Sequence, residues 1–127
     1  MPLDIKVTEK ERGVSVIAPV GSIDSNTYAQ LDKEAEVVLS QKPKVIVMDM
    51  AGVDYMSSAG VRVVFKIKKA LTAASGTLTM VNLKPQIQKV FDIINALPEL
   101  NVFKSIEELD SYLDKMQKKE VEGKDSF

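Results

Sequence analysis

Two adjacent serines stand where this chain could hold a phosphate. Ser57 and Ser58 follow a short apolar run, 44–50, of the kind that forms a parallel strand with both faces covered. After the serines, apolar residues recur at the spacing of an amphipathic helix. The first turn of a helix has backbone N–H groups without intrahelical partners and carries the positive end of the helix dipole. The pair therefore predicts a site of serine phosphorylation at a helix start.

The same residue types have a simpler interpretation as helix caps. Serine is a preferred N-cap because its side-chain oxygen accepts a hydrogen bond from a first-turn N–H, and either Ser57 or Ser58 is expected to do this. Asp24 follows an earlier predicted strand. If the loop at 21–24 and the loop at 55–60 meet at the carboxyl edge of a sheet, the Asp24 carboxylate lies near the serines, but it is equally suited to cap the next helix. Both interpretations stay open on spacing alone.

Composition excludes several kinds of chemistry. The chain has no cysteine and no histidine, which excludes a disulfide, a thiolate nucleophile, an imidazole base and the usual zinc sites. Ser58 is not in a G-x-S-x-G motif, because Met56 and Gly60 occupy the two positions that require glycine. The six glycines form no phosphate-binding loop. On composition an enzyme remains possible only through carboxylates, Lys, Tyr or Ser. We expect a protein that is not an enzyme and that uses no metal or cofactor.

Charge and hydropathy limit the partners. The chain carries 17 basic and 18 acidic residues without a long block of one sign, which predicts no binding of nucleic acid or of an anionic membrane. No apolar run is long enough to span a bilayer, and the first residues lack the pattern of a signal peptide. A cytoplasmic location is the expectation.

The remaining pattern predicts alternating strands and helices. Helices are expected to begin near residues 26, 58, 85 and 105, and strands are expected at 3–8, 14–20, 44–50, 76–81 and 102–103. This order predicts a single α/β domain over 1–117, with a mixed, mostly parallel sheet of about five strands and about four helices. Residues 118–127 show no periodicity, which predicts a disordered C-terminal tail.

Four segments together resemble a known family. They are 21–24 (GSID), 45–50 (VIVMDM), 53–61 (VDYMSSAGV) and 89–93 (KVFDI). With the order of the elements, they resemble the STAS domain of the bacterial anti-sigma factor antagonists over about residues 3–116. The resemblance implies a single STAS-like domain. It also implies a function that composition could not indicate.

Members of that family bind an anti-sigma factor that is also an ATP-dependent serine kinase, and so release a sigma factor. Phosphorylation of a serine on the antagonist ends the binding, and a PP2C-type phosphatase restores it. The resemblance implies that Ser58 is the phosphoacceptor, with Ser57 as the runner-up. Ser57 stands where the well-known members have Asp, and Ala59 stands where they have Ser or Thr.

The resemblance also implies the surroundings of the phosphoserine. Asp24 matches an acidic residue of the family near the phosphorylation site, whereas Ser22 stands where Glu is common. Ser57 and Gly60 complete the predicted environment. The residues expected to contact the partner are Ser22, Met56, Ala59, Val61 and Arg62.

Two alternatives remain from the sequence. In the first, the chain is a constitutive STAS adaptor subunit of a signalling or lipid-transport assembly, Ser58 is only a cap, and Ser58→Asp leaves partner binding intact. In the second, Asp49 near the end of a strand is the phosphoacceptor of a receiver domain. That domain needs an acidic cluster after its first strand, where the segment 7–10 (VTEK) offers one carboxylate. The oligomeric state, monomer or weak dimer, stays open.

Overall fold

The computed structural model describes residues 3–96 and 106–123. The elements in these ranges are β1 (Asp4–Glu11), β2 (Val14–Ile23), α1 (Tyr28–Ser40), β3 (Val45–Asp49), β4 (Gly52–Met56), α2 (Ser58–Ala73), β5 (Thr77–Val81), α3 (Pro85–Ala96) and α4 (Ile106–Gly123). They form a single α/β domain with a five-stranded, mixed sheet and four helices. The predicted fold class is confirmed.

The sheet is built around the long strand β2. The strand order is β1-β2-β3-β5; β1 is antiparallel to β2, and the β2–β3 and β3–β5 pairs are parallel. Strand β4 also runs parallel to β2, beside its second half. Since β3 pairs with 14–17 of β2 and β4 pairs with 20–23, the two short strands act as one strand interrupted between Asp49 and Gly52.

Strand β4 differs from the prediction. Tyr55 and Met56 were expected to lie in the loop at 55–60, but they belong to the strand Gly52–Met56, which pairs with β2. The pattern hides this strand because its register with β2 shifts between Gly21 and Ser22, so that Val53 and Met56 are both buried although they are three residues apart. The predicted strand at 102–103 lies outside the described residues.

The core lies against one face of the sheet. Ile17, Ile46 and Met48 are fully buried, and helices α1 and α2 bury their apolar stripes with them. On the opposite face Val47 is only half-buried, and Val20 is 54% exposed. The expectation that β3 is covered on both faces is therefore wrong.

Helix α4 covers an edge that the sheet leaves open. Strand β5 pairs with β3, so one edge of β4 has no strand beside it among the described residues. Gln117 of α4 replaces that strand: its Oε1 accepts from the Met56 N–H at 2.9 Å, and its Nε2 donates to the Met56 carbonyl at 2.8 Å. Gln86 of α3 donates to the Asp54 carbonyl at 3.3 Å. Side-chain amides thus satisfy backbone groups that a strand would otherwise pair.

The end of α4 extends into the predicted tail. The helix continues through residues 118–123, where disorder was expected, and residues 118–122 are exposed or half-buried. Residues 118–122 show no apolar stripe because this end of the helix is exposed to solvent. The domain boundary at 117 remains a prediction, and residues 124–127 lie outside the described ranges. Among the described helices, none is long and apolar enough to cross a membrane.

Candidate functional site at the start of helix α2

The two loops singled out in the sequence meet at one edge of the sheet. Ile23 and Met56, the last residues of β2 and β4, lie side by side in parallel register. The Ser57 N–H donates to the Ile23 carbonyl at 2.9 Å. Because only Ser57 separates β4 from α2, the strand ends fix the position of the helix start.

Gly60 allows the first turn of α2 to pack directly on those strand ends. A Cβ atom at this position would lie 2.7 Å from Cγ2 of Ile23 and 3.1 Å from Cγ of Met56. A side chain would push the helix outward and move Ser58 with it. Gly60 therefore contributes to the surroundings of the serines by letting the helix pack closely on the strand ends.

Ser22 is set by an irregularity in β2. Gly21 has φ +124°, a conformation that favours glycine, and the pairing register with β4 shifts after it. Ser22 is half-buried, and its hydroxyl donates to Oδ1 of Asp54 at 2.9 Å. This bond joins the end of β2 to β4 beside the serine pair.

The serine side chains do not cap the helix, which corrects the prediction from spacing. Ser57 occupies the N-cap position with an extended backbone, but it makes no side-chain cap bond. Instead, Oδ1 of Asp110 in α4 accepts from the Ser58 N–H at 2.8 Å. A carboxylate makes a stronger hydrogen bond to this N–H than a neutral hydroxyl does, and the helix dipole favours its charge.

Both serine hydroxyls are buried and unsatisfied. Ser57 is 5% exposed and Ser58 is 4% exposed, and neither Oγ atom has a hydrogen-bond partner among the described residues. A buried polar group without a partner costs about 1–3 kcal/mol and calls for an explanation in function or strain. Two such groups therefore mark this helix start as a candidate site.

Ser58 borders a surface groove between α1 and α2. The groove has a volume of about 340 Å³. Ser57 is not among the described residues that line it. The lining residues are Ser25, Tyr28, Asp32, Ser58, Ala59, Arg62, Val63, Lys66 and Asp110. The position of Ser58 beside open space distinguishes it from Ser57, although both side chains are equally enclosed.

Two basic side chains line the groove, and among the described residues only one of them forms ion pairs. Nζ of Lys66 lies 2.9 Å from Asp32 and 3.0 Å from Glu36, which ties α2 to α1, and these hydrogen bonds raise the pKa of Lys66. Arg62 is exposed, and within the described ranges it has no carboxylate at ion-pair distance. Its guanidinium is therefore available to an acidic group of a partner.

Asp24 stabilises the turn that leads into α1, and its interpretation as the cap of that helix is wrong, because Thr27 occupies the N-cap position and makes no side-chain cap bond. Oδ1 of Asp24 accepts from the N–H groups of Asn26 at 2.9 Å and Thr27 at 3.1 Å, next to the start of α1. Asp24 is also one of three aspartates whose negative charge acts on Tyr55. The pKa of Tyr55 is raised, first by burial and then by Asp114, Asp110 and Asp24.

The residues expected to contact a partner divide into two groups. Met56 is 0% exposed and Val61 is 3% exposed, because Met56 ends β4 facing the core and Val61 lies on the buried stripe of α2. Neither side chain offers a surface, which corrects that part of the prediction. Ser22 and Ala59 are half-buried and Arg62 is exposed, so these three remain accessible.

Sequence reasoning missed the contributions of α4. Gln117 continues the stripe begun by Leu109 and Leu113, and a polar residue at an apolar position of a helix was a signal that could have found it. Asp110 gave no such signal, because it lies 52 residues from Ser58 along the chain.

Asp49, the acceptor in the receiver interpretation, has a structural role. Its Oδ1 accepts from the Ala51 N–H and from Nδ2 of Asn82, each at 3.1 Å. These bonds hold the turn between β3 and β4 beside the end of β5. They account for an acidic residue at the end of a buried strand.

Comparison with known proteins assigns the chain to a family. The model of the STAS domain matches residues 6–109. BtrV of Bordetella bronchiseptica, named as a candidate anti-sigma factor antagonist, is 33% identical over 85 residues, which cover 67% of this chain and 73% of that protein.

Solved structures show the same fold. An anti-sigma factor antagonist from Mycobacterium paratuberculosis superposes with a TM-score of 0.64 at 22% identity, over 78% of this chain and 88% of that one. The anti-sigma factor antagonist SpoIIAA in its unphosphorylated form gives a TM-score of 0.61 at 23% identity, over 71% and 83%. SpoIIAA of Bacillus has also been solved in a phosphorylated form, which gives 0.62 at 23% identity, over 72% and 83%. The chain therefore belongs to the STAS domain family and is homologous to anti-sigma factor antagonists.

Proposed function

We propose that this protein is an anti-sigma factor antagonist whose binding to an anti-sigma factor is ended by phosphorylation of Ser58. The observation that carries the proposal is the Ser58 hydroxyl at the first residue of α2, which is buried, has no hydrogen-bond partner in the described part of the chain and lies beside an open groove. The homology to BtrV supports the class of partner. The phosphorylated form of SpoIIAA supports a phosphate on an antagonist of this fold.

The proposed chemistry takes place in partner enzymes. The γ-phosphoryl group of ATP is transferred to Oγ of Ser58, the hydroxyl proton is lost and ADP is released; the kinase is the anti-sigma factor itself. A PP2C-type phosphatase then hydrolyses the phosphate ester with water, which returns the serine and releases inorganic phosphate. The antagonist supplies the acceptor and no catalytic group, and we infer that it acts in the cytoplasm with these partners.

The groove between α1 and α2 is the proposed contact surface. Ala59 and Arg62 lie on its α2 side, one residue and one turn after Ser58, and Tyr28 of α1 is 40% exposed across from them. Asp32 and Asp110 already bring negative charge to the groove. A phosphate adds a charge of about −1.5 to −2 that must be desolvated or face acidic groups when a partner binds. Binding should therefore weaken strongly once Ser58 is modified.

Titration of the cognate anti-sigma factor with two forms of the full chain tests this proposal. Phosphoserine at position 58, introduced during translation, is expected to raise the Kd about a hundredfold relative to unmodified protein, which is about 2.7 kcal/mol. Phosphoserine at Ser75, just beyond the opposite end of α2, is the matched control and should leave the Kd unchanged. Equal affinity of all three forms would contradict the proposal.

One observation favours the constitutive adaptor as a second candidate. Asp110 already accepts a hydrogen bond from the Ser58 N–H, so the helix start is satisfied there without a phosphate. The Ser58 hydroxyl is also buried, as expected for a residue with only a structural role. An adaptor would bind its partner with the same Kd whether or not position 58 is phosphorylated. The titration therefore separates the two candidates directly.

A further inference from the structure

We propose that helix α4 is a latch over the phosphorylation site: Asp110 holds it on α2 while Ser58 is unmodified, and a phosphate on Ser58 releases its first turns. This inference rests on the proposed phosphorylation of Ser58 and adds a conformational consequence to it. It explains why an acceptor hydroxyl is enclosed in the unmodified protein.

The hydrogen bond between Asp110 and Ser58 uses a backbone N–H that a phosphate on Ser58 would otherwise bind. Oδ1 of Asp110 lies 2.8 Å from the backbone N of Ser58, at the positive end of the α2 dipole. A phosphate on Oγ belongs to the same residue, and its oxygens are drawn to the same first-turn N–H groups. One backbone N–H donates one strong hydrogen bond, and a phosphate and a carboxylate placed side by side repel each other, so the phosphate and Asp110 compete for this position.

The charge of α4 makes coexistence unfavourable. Between residues 106 and 114 the helix has four carboxylates and no Lys or Arg. These acidic residues are Glu107, Glu108, Asp110 and Asp114. A phosphate at Ser58 would add its charge beside Asp110 of this segment in a partly buried place, where like charges are poorly screened.

The remaining contacts of α4 define which part can move. Leu109 and Leu113 are buried, and the helix packs chiefly on α3. Gln117 is bound to both backbone groups of Met56. These contacts hold the middle of the helix independently of Ser58. We therefore expect the turns around Asp110 to loosen while the sheet stays intact.

Amide hydrogen exchange of the full chain tests the latch without any partner. Phosphoserine is placed at position 58 during translation, so that no kinase is needed. We expect exchange of the backbone amides in 110–114 to become about tenfold faster than in unmodified protein, with the strands unchanged. Phosphoserine at Ser75 should change neither region.

A second variant separates charge from hydrogen bonding. Asp110→Asn keeps an oxygen that can accept from the Ser58 N–H but removes the charge, so phosphorylation should accelerate α4 exchange much less in this variant. Glu122→Gln, an exposed change near the other end of the same helix and outside the acidic segment, should leave the full acceleration. Unchanged α4 protection after phosphorylation, or acceleration spread equally over the strands, would overturn the latch. Because the readout contains no anti-sigma factor, the latch and the proposed binding switch can fail independently.

Discussion

Ser58→Ala is expected to reduce phosphoryl transfer from the cognate kinase to background, whereas Ser57→Ala is expected to retain it. Ser58 borders the groove between α1 and α2, and Ser57 is not among the described residues that line it. Ser57 also donates its backbone N–H to Ile23 at the strand ends, which holds it against the sheet. Labelling by the kinase with ATP, followed by mass spectrometric mapping of the phosphate, measures both variants.

The structure supplies a folding control for this pair. Both hydroxyls are buried without partners in the described part of the chain, so removing either one deletes an unsatisfied polar group. Each alanine variant should therefore be as stable as the unmodified protein or about 1 kcal/mol more stable. Labelling that survives in Ser58→Ala and is lost in Ser57→Ala would transfer the assignment to Ser57.

Gln117→Leu is expected to lower the free energy of unfolding by about 2–4 kcal/mol, because it leaves two buried backbone groups unsatisfied. The Gln117 amide pairs with both the N–H and the carbonyl of Met56, and it also donates to the Leu113 carbonyl at 3.2 Å. Leucine fills a similar volume, so the loss should come from the missing hydrogen bonds. Urea denaturation followed by circular dichroism measures it.

Gln86→Leu is the matched control for this effect. Gln86 makes one longer bond, 3.3 Å, to the carbonyl of Asp54 on the same strand, and this bond is exposed to water. Its loss should cost less than about 1 kcal/mol. Similar losses in the two variants would show that the amide of Gln117 does not substitute for a neighbouring strand.

The start of α2 could be predicted from local pattern. A buried apolar run followed by helical spacing placed the boundary at Ser57 and Ser58, and the helix begins at Ser58. Strand β4 could not be found in this way. A turn after Asp49 separates β4 from β3. The pairing of β4 with β2 also shifts register, so its side chains follow neither strand alternation nor helical spacing.

The candidate site was predictable only where its residues are close in sequence. Ser58, Gly60 and Arg62 follow from one segment, and the meeting of the β2 and β4 loops follows from a parallel sheet. The cap was missed because it comes from Asp110 on a distant helix. A contact between residues 52 positions apart leaves no periodic signal, and it depends on how α4 packs.

Transcription in a reconstituted system tests the central claim most directly. RNA polymerase, the cognate sigma factor and its anti-sigma factor are combined so that transcription is repressed, and the chain is then added with either serine or phosphoserine at position 58. We expect the unmodified chain to restore transcription and the phosphorylated chain to leave it repressed. Equal restoration by both forms, or no restoration by the unmodified chain, would contradict it.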